Sequence, residues 1–190
     1  MSSSLHLIFV VVFVASLTAA VSGELSLVSR SQWRARAPGE MTAMQLPLGR
    51  AVIAHTAGRE CNDDESCAEQ VRGIQAYQMG RLKYSDISYH YLIGGNARVY
   101  EGRSPSQQGA IAAGNNGNSL AIAFIGNFDE RAPSETVLAA AKSLLEHAER
   151  EGQLAGDYKL LGHRQVSATK SPGDALYALL EKWPHFDALN

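Results

Sequence analysis

Cysteine is scarce: Cys61 and Cys67 are the only two in 190 residues. A thiol nucleophile or a thiolate metal ligand would need one of them free, whereas in an oxidising compartment two so close in sequence most simply form a disulfide closing a small loop. Charge of one sign is missing too. Seventeen basic against 19 acidic side chains leave a net charge of −2, and no basic stretch stands out, so nucleic acid is not an expected partner. Repeats, low-complexity tracts and long linkers are absent. Beyond Glu24 no segment is long and apolar enough to span a bilayer, and no Asn-x-Ser/Thr acceptor for N-glycosylation appears.

What is present begins with "LHLIFVVVFVASLTAAVSG" (Leu5–Gly23), an apolar run with small residues at its end and no Asp, Glu, Lys or Arg before Glu24. It reads as a secretory signal cleaved near Gly23, so an extracellular location is expected. The remaining chain, about 165 residues, suits one domain with a substantial core. A short strand near Leu25–Val28 and a helical turn from Ser31 lead into an irregular segment up to Gly49. "RAVIAHTAG" (Arg50–Gly58) reads as a buried strand. Asp63 and Asp64 can cap a helix carrying Val71, Ile74 and Tyr77. "SYHYLIGG" and "ARVYEG" form a hairpin through Gly94-Gly95-Asn96, and "LAIAFIGNF" is a further buried strand. A helix opens at Pro133-Ser134, with Val137, Leu138, Ala141, Leu144, Leu145 and Ala148 on one stripe, and ends at Gly152. "YKLLGH" gives a last strand and "GDALYALLEKW" a last helix. Strands interleaved with helices predict an α/β domain with a central mixed β-sheet flanked by helices.

Polar residues at strand ends and in loops are the candidates for chemistry: His55, Thr56, Tyr89, His90, Arg103, Asn116, His163 and Thr169. Singly, each has a structural role open to it. A nucleophile pair of His163 and Ser171 lacks the glycine-flanked turn that such a serine needs.

Taken together, "VIAHTAG", "CNDDESC", "DISYHYLIGGNARVYEGR", "LAIAFIGNF", "LLGHRQVSATKSPG" and "WPHF" resemble the insect short peptidoglycan recognition proteins, in the family's order, from about Leu25 to Phe186. The resemblance implies an N-acetylmuramoyl-L-alanine amidase-like fold with a cleft for the muramyl peptide of bacterial cell wall. It also implies a division into a signal (residues 1–23), a family-specific N-terminal segment (24–49) lying away from the cleft, and the amidase-like domain (50–190). Catalytic members bind zinc, which activates a water. Their ligands are the first histidine of a His-His-Thr strand end, the histidine of Gly-His-Arg and the cysteine of a Thr-x-Cys-Pro-Gly turn. Those positions fall on Ala54, His163 and Ser171. Alanine has no donor atom, and a neutral hydroxyl does not replace a thiolate. No cofactor is therefore expected, and the chain reads as a binder rather than as the alternative, a zinc-dependent amidase. A zinc site rebuilt from His55, His90 and His163 would need coincident geometry.

By the same resemblance, contacts to the stem peptide fall on His55, Thr56, Gln78, Lys83, Tyr84, Tyr89, Arg103 and Asn116. In family members that prefer meso-diaminopimelic acid (DAP), an arginine at the position of Arg103 meets the extra carboxylate of that residue; an Arg103 paired within the protein is the competing reading. Lys83-Tyr84 departs from both the Gly-Trp common in DAP-preferring members and the Asn-Phe common in lysine-preferring ones. Ile111 stands where a histidine is common, and "GRSPSQQG" where Gly-Arg-Gly-Trp is usual. The expectation is a secreted sensor that favours DAP-type peptidoglycan and reports through another recognition protein, a membrane receptor of the same family or a protease-linked partner. It docks through residues 24–49, where Trp33 belongs either to that surface or to the core.

Overall fold

The structure, a computed structural model, describes residues 25–189; the expected signal run lies outside them. Six strands form one mixed sheet: β1 (Leu27–Val28), β2 (Leu48–His55), β3 (Tyr91–Ile93), β4 (Val99–Glu101), β5 (Ser119–Phe124) and β6 (Leu154–Gly162). Their spatial order is β1-β4-β3-β5-β2-β6, and only the β3–β4 hairpin pairs antiparallel. Helices α1 (Asp64–Gly80), α2 (Glu135–Arg150) and α3 (Asp174–Leu180) complete the fold.

The sheet separates two cores. Ile53, Ile122, Phe124 and Leu160 pack with Val137, Leu144 and Leu176 from α2 and α3. On the other side Ala54, Leu92, Ala123 and Ile125 meet Val71 of α1, the cysteines and Trp33. Alternation along β5 explains the split, since successive side chains of a strand point to opposite faces. Helix α1 starts where Asp63 caps it, accepting from Ser66 N at 2.9 Å, and the disulfide joins Cys67 in its first turns to Cys61. Helix α2 buries the expected stripe and is capped by Ser134. Gly152, with φ +67°, takes the left-handed turn that follows.

Two local readings are corrected and one open alternative is decided. Tyr77 faces solvent at 57% exposure instead of packing under α1. Helix α3 stops at Leu180, because the chain turns back for Leu160 to pair with Phe186 beside β6. Trp33 is fully buried, with Nε1 donating to the Glu101 carbonyl at 2.8 Å, so it belongs to the core and not to a docking surface.

Candidate functional site

Strand register sets the first part of the site. Ile53 and Gly162 are partners in the parallel β2–β6 ladder, so the residues after them, Ala54 and His163, lie side by side at the strand ends. Ala54 is fully buried. His163 Nε2 lies 2.7 Å from the Ile111 carbonyl, which only accepts, so the proton sits on Nε2. Nδ1 is then a bare acceptor, buried without a partner, and burial lowers the pKa of the ring. Ser171 is buried, and its Oγ accepts from His55 N at 3.0 Å. Its own backbone N donates to Thr169 Oγ1 at 3.2 Å.

This set does not fit zinc. Ala54 offers no atom, Ser171 offers a neutral hydroxyl already engaged by backbone, and one imidazole holds the metal weakly. Rescue by the other histidines fails on geometry. His90 is fully buried, accepting from Ala121 N through Nδ1 at 2.7 Å and donating from Nε2 to the Gln107 carbonyl at 2.8 Å. His55 Nδ1 accepts from Phe128 N at 3.2 Å. Among the described residues no three His, Cys, Asp or Glu side chains gather closely enough to hold a metal ion.

The second part is a cavity of about 330 Å³ whose lining includes Lys83, Tyr84, Arg103 and Asn116, half of the eight expected contacts. Arg103 forms part of its floor at 7% exposure. Its Nε donates to the Ile87 carbonyl at 2.5 Å, Nη1 to Gln108 O at 2.6 Å and Nη2 to Asp86 O at 3.1 Å. Three of five N–H donors are thus committed to backbone, and two remain. The competing reading of an Arg103 paired within the protein is therefore what the bonds show: the guanidinium is a structural brace, with two N–H donors left over. Asn116 Oδ1 accepts from the amides of Ile111 and Ala112, which leaves its NH2 group free of that work.

The other expected contacts divide. His55 and Thr56 sit at the β2 end near Ser171, with Thr56 Oγ1 accepting from Gly126 N at 3.0 Å. Burial lowers the His55 pKa, opposed by nearby Asp129 and assisted by Arg164 and His163. Tyr89 is partly buried against the α1-side core, and desolvation raises its pKa. Gln78 is buried with both ends of its amide tied to Ser88, at 2.8 Å each, so it holds the loop in place rather than waiting for a ligand.

The N-terminal segment is not remote from the cleft. Glu40, Met41 and Thr42 line the same cavity as Lys83 and Arg103. Gly39 N donates to Ser85 O at 2.7 Å, Gln108 N to Thr42 O at 2.8 Å, and Ala43 bridges Gln107. No spacing signal announces this wall, because it rests on pairing between residues far apart in sequence.

The sequence pattern of the N-acetylmuramoyl-L-alanine amidase family matches residues 45–174. Peptidoglycan-recognition protein SD of Drosophila melanogaster is 60% identical over 168 residues, covering 88% of this chain and 90% of that protein. The stretches "YHYLIGG", "YEGRSPSQ" and "GHRQVSATKSPG" carry that SD-type likeness. The crystal structure of Drosophila peptidoglycan recognition protein SD matches with a TM-score of 0.86 at 60% identity, over 87% of this chain and 98% of that one. The ectodomain complex of peptidoglycan recognition proteins LCa and LCx bound to tracheal cytotoxin gives 0.84 at 40% identity, over 86% and 99%. Human PGRP-IBETAC in complex with glycosamyl muramyl pentapeptide gives 0.83 at 40%, over 85% and 98%.

Proposed function

This chain belongs to the peptidoglycan recognition protein family, and from that footing we propose that it is a secreted innate-immune sensor that binds bacterial muramyl peptides without cleaving them. The carrying observation is the cavity with Lys83, Tyr84, Arg103 and Asn116 on its walls, in a fold that matches a relative holding a muramyl pentapeptide. Its chemistry suits a peptide: a phenol face, an amide and two cations at one end. The cations favour a stem that carries the extra carboxylate of DAP over one ending in a lysine ammonium. Ala54 and Ser171 argue against hydrolysis, since without a metal-bound water no group at these positions activates a nucleophile. A sensor without chemistry reports by contact. A second recognition protein, a membrane receptor of the family or a protease-linked partner is the natural listener, as in the LCa–LCx complex that contains tracheal cytotoxin. Export agrees with the Cys61–Cys67 disulfide and with the expected signal; no helix among the described residues is long and apolar enough to cross a membrane.

The test is co-sedimentation of purified protein with insoluble DAP-type and lysine-type peptidoglycan, with Lys83→Ala alongside. Lys83→Ala serves better than Arg103→Ala, which would strand three backbone carbonyls, two of them buried, and confound binding with folding. Preferential pelleting with DAP-type wall, reduced in Lys83→Ala, with no stem peptide released and no zinc retained, is the expected result. Release of stem peptide would restore the amidase reading. Failure to pellet with either wall would move the function to protein contacts alone.

A further inference from the structure

Glu40 is the one carboxylate on the lining of the cavity that holds Lys83 and Arg103. Its backbone is held at the wall, because Gly39 N is bonded to Ser85 O and Thr42 O to Gln108 N. Among the described residues no ion pair engages Glu40, Lys83 or Arg103; the Asp86 carboxylate, whose charge acts on Arg103, pairs with Arg30 at 2.9 Å. The cavity therefore presents two cations and one anion, none held in an ion pair by the protein, with Tyr84 and Asn116 as uncharged neighbours. A ligand end with a single charge answers only part of that set. An α-amino-acid head group, with ammonium and carboxylate on one carbon, answers all of it.

We propose that Glu40 binds the ammonium of such a zwitterionic side-chain end while Lys83 and Arg103 take its carboxylate. The inference rests on the reading of this cavity as the stem-peptide site and makes the N-terminal segment part of ligand selection. The unamidated side chain of meso-DAP is a group of this kind. A lysine side chain lacks the carboxylate, and an amidated DAP keeps the ammonium but has lost the carboxylate's charge.

The experiment measures binding at low ionic strength of two muramyl tripeptides, one ending in meso-DAP and one in its desamino analogue, which keeps the side-chain carboxylate and lacks the amino group. Wild type, Glu40→Gln and Lys83→Ala are compared; both positions are exposed, so neither change endangers the fold. Glu40→Gln should weaken the DAP ligand about fivefold, as expected of a solvent-screened ion pair, and leave the desamino ligand unchanged. Lys83→Ala should weaken both. If Lys83→Ala weakens both ligands while Glu40→Gln affects both equally or neither, Glu40 does not read the ammonium and the inference falls with the site intact. If neither substitution changes either ligand, the cavity is not the site, and reading and inference fall together.

Discussion

Lys83 carries a backbone cost at the wall of the cavity. Its φ of +60° lies in the left-handed region, where a side chain is disfavoured by about 1–2 kcal/mol and glycine is at ease. Strain of this kind gathers at functional positions. Lys83→Gly should raise unfolding free energy by about 0.5–1 kcal/mol, after the greater unfolded-state freedom of glycine is subtracted. The same variant should pellet less with DAP-type peptidoglycan; urea melts and co-sedimentation read the two effects apart. Stability unchanged or lowered would show that the backbone here is not strained. Ala54 and Ser171 are picked out through the family resemblance, which assigns the ligand positions; what a methyl group and a neutral hydroxyl offer a metal then needs no geometry. The structural role of Gln78 was not legible, and that of Arg103 only as a competing reading: the Gln78 amide is tied to Ser88 and three Arg103 donors to Asp86, Ile87 and Gln108, and loops closing over the sheet make those bonds without any fixed spacing.

Among the elements, the β3–β4 hairpin and the start of α1 behave as one unit. A Cβ on Gly94 would stand 2.7 Å from Cys67 Sγ, and one on Gly95 2.2 Å from the Cys61 carbonyl, so the turn is pressed directly onto the disulfide. Closing so short a loop limits the unfolded chain by about 2 kcal/mol. Replacing both cysteines with serine should lower the unfolding free energy from urea melts by that amount and should first loosen Gly94, Gly95 and the opening of α1 in amide exchange. Uniform loss of protection across the sheet would contradict the coupling. The strands and α2 were readable because period-2 and period-3.6 patterns are local properties. The wall formed by Glu40–Thr42 was not, since it is an irregular stretch ordered only by what it lies against.

For the molecule as a whole, acid sensitivity follows from buried histidines. His90 sits in the interior with both ring nitrogens bonded to backbone, and burial pushes its pKa down to about 4 from 6.5. Between those values the unfolded chain binds a proton that the native state refuses, so stability falls as pH drops, by up to about 3 kcal/mol near pH 4. His55 and His163 are lowered too and act in the same direction. Above pH 6.5 all three are neutral in both states, and their contribution is flat. Urea midpoints should hold steady above that pH and decline below it; a midpoint constant down to pH 4 would show that His90 is not kept neutral. Scale also matters for how the protein comes into being. The segment that pairs Leu27 with Val99 and lays Thr42 against Gln108 is synthesised before any of its partners. At ordinary translation rates it waits roughly 3–15 s for them. The cavity wall is therefore assembled late, when the middle of the chain returns to close over its own beginning.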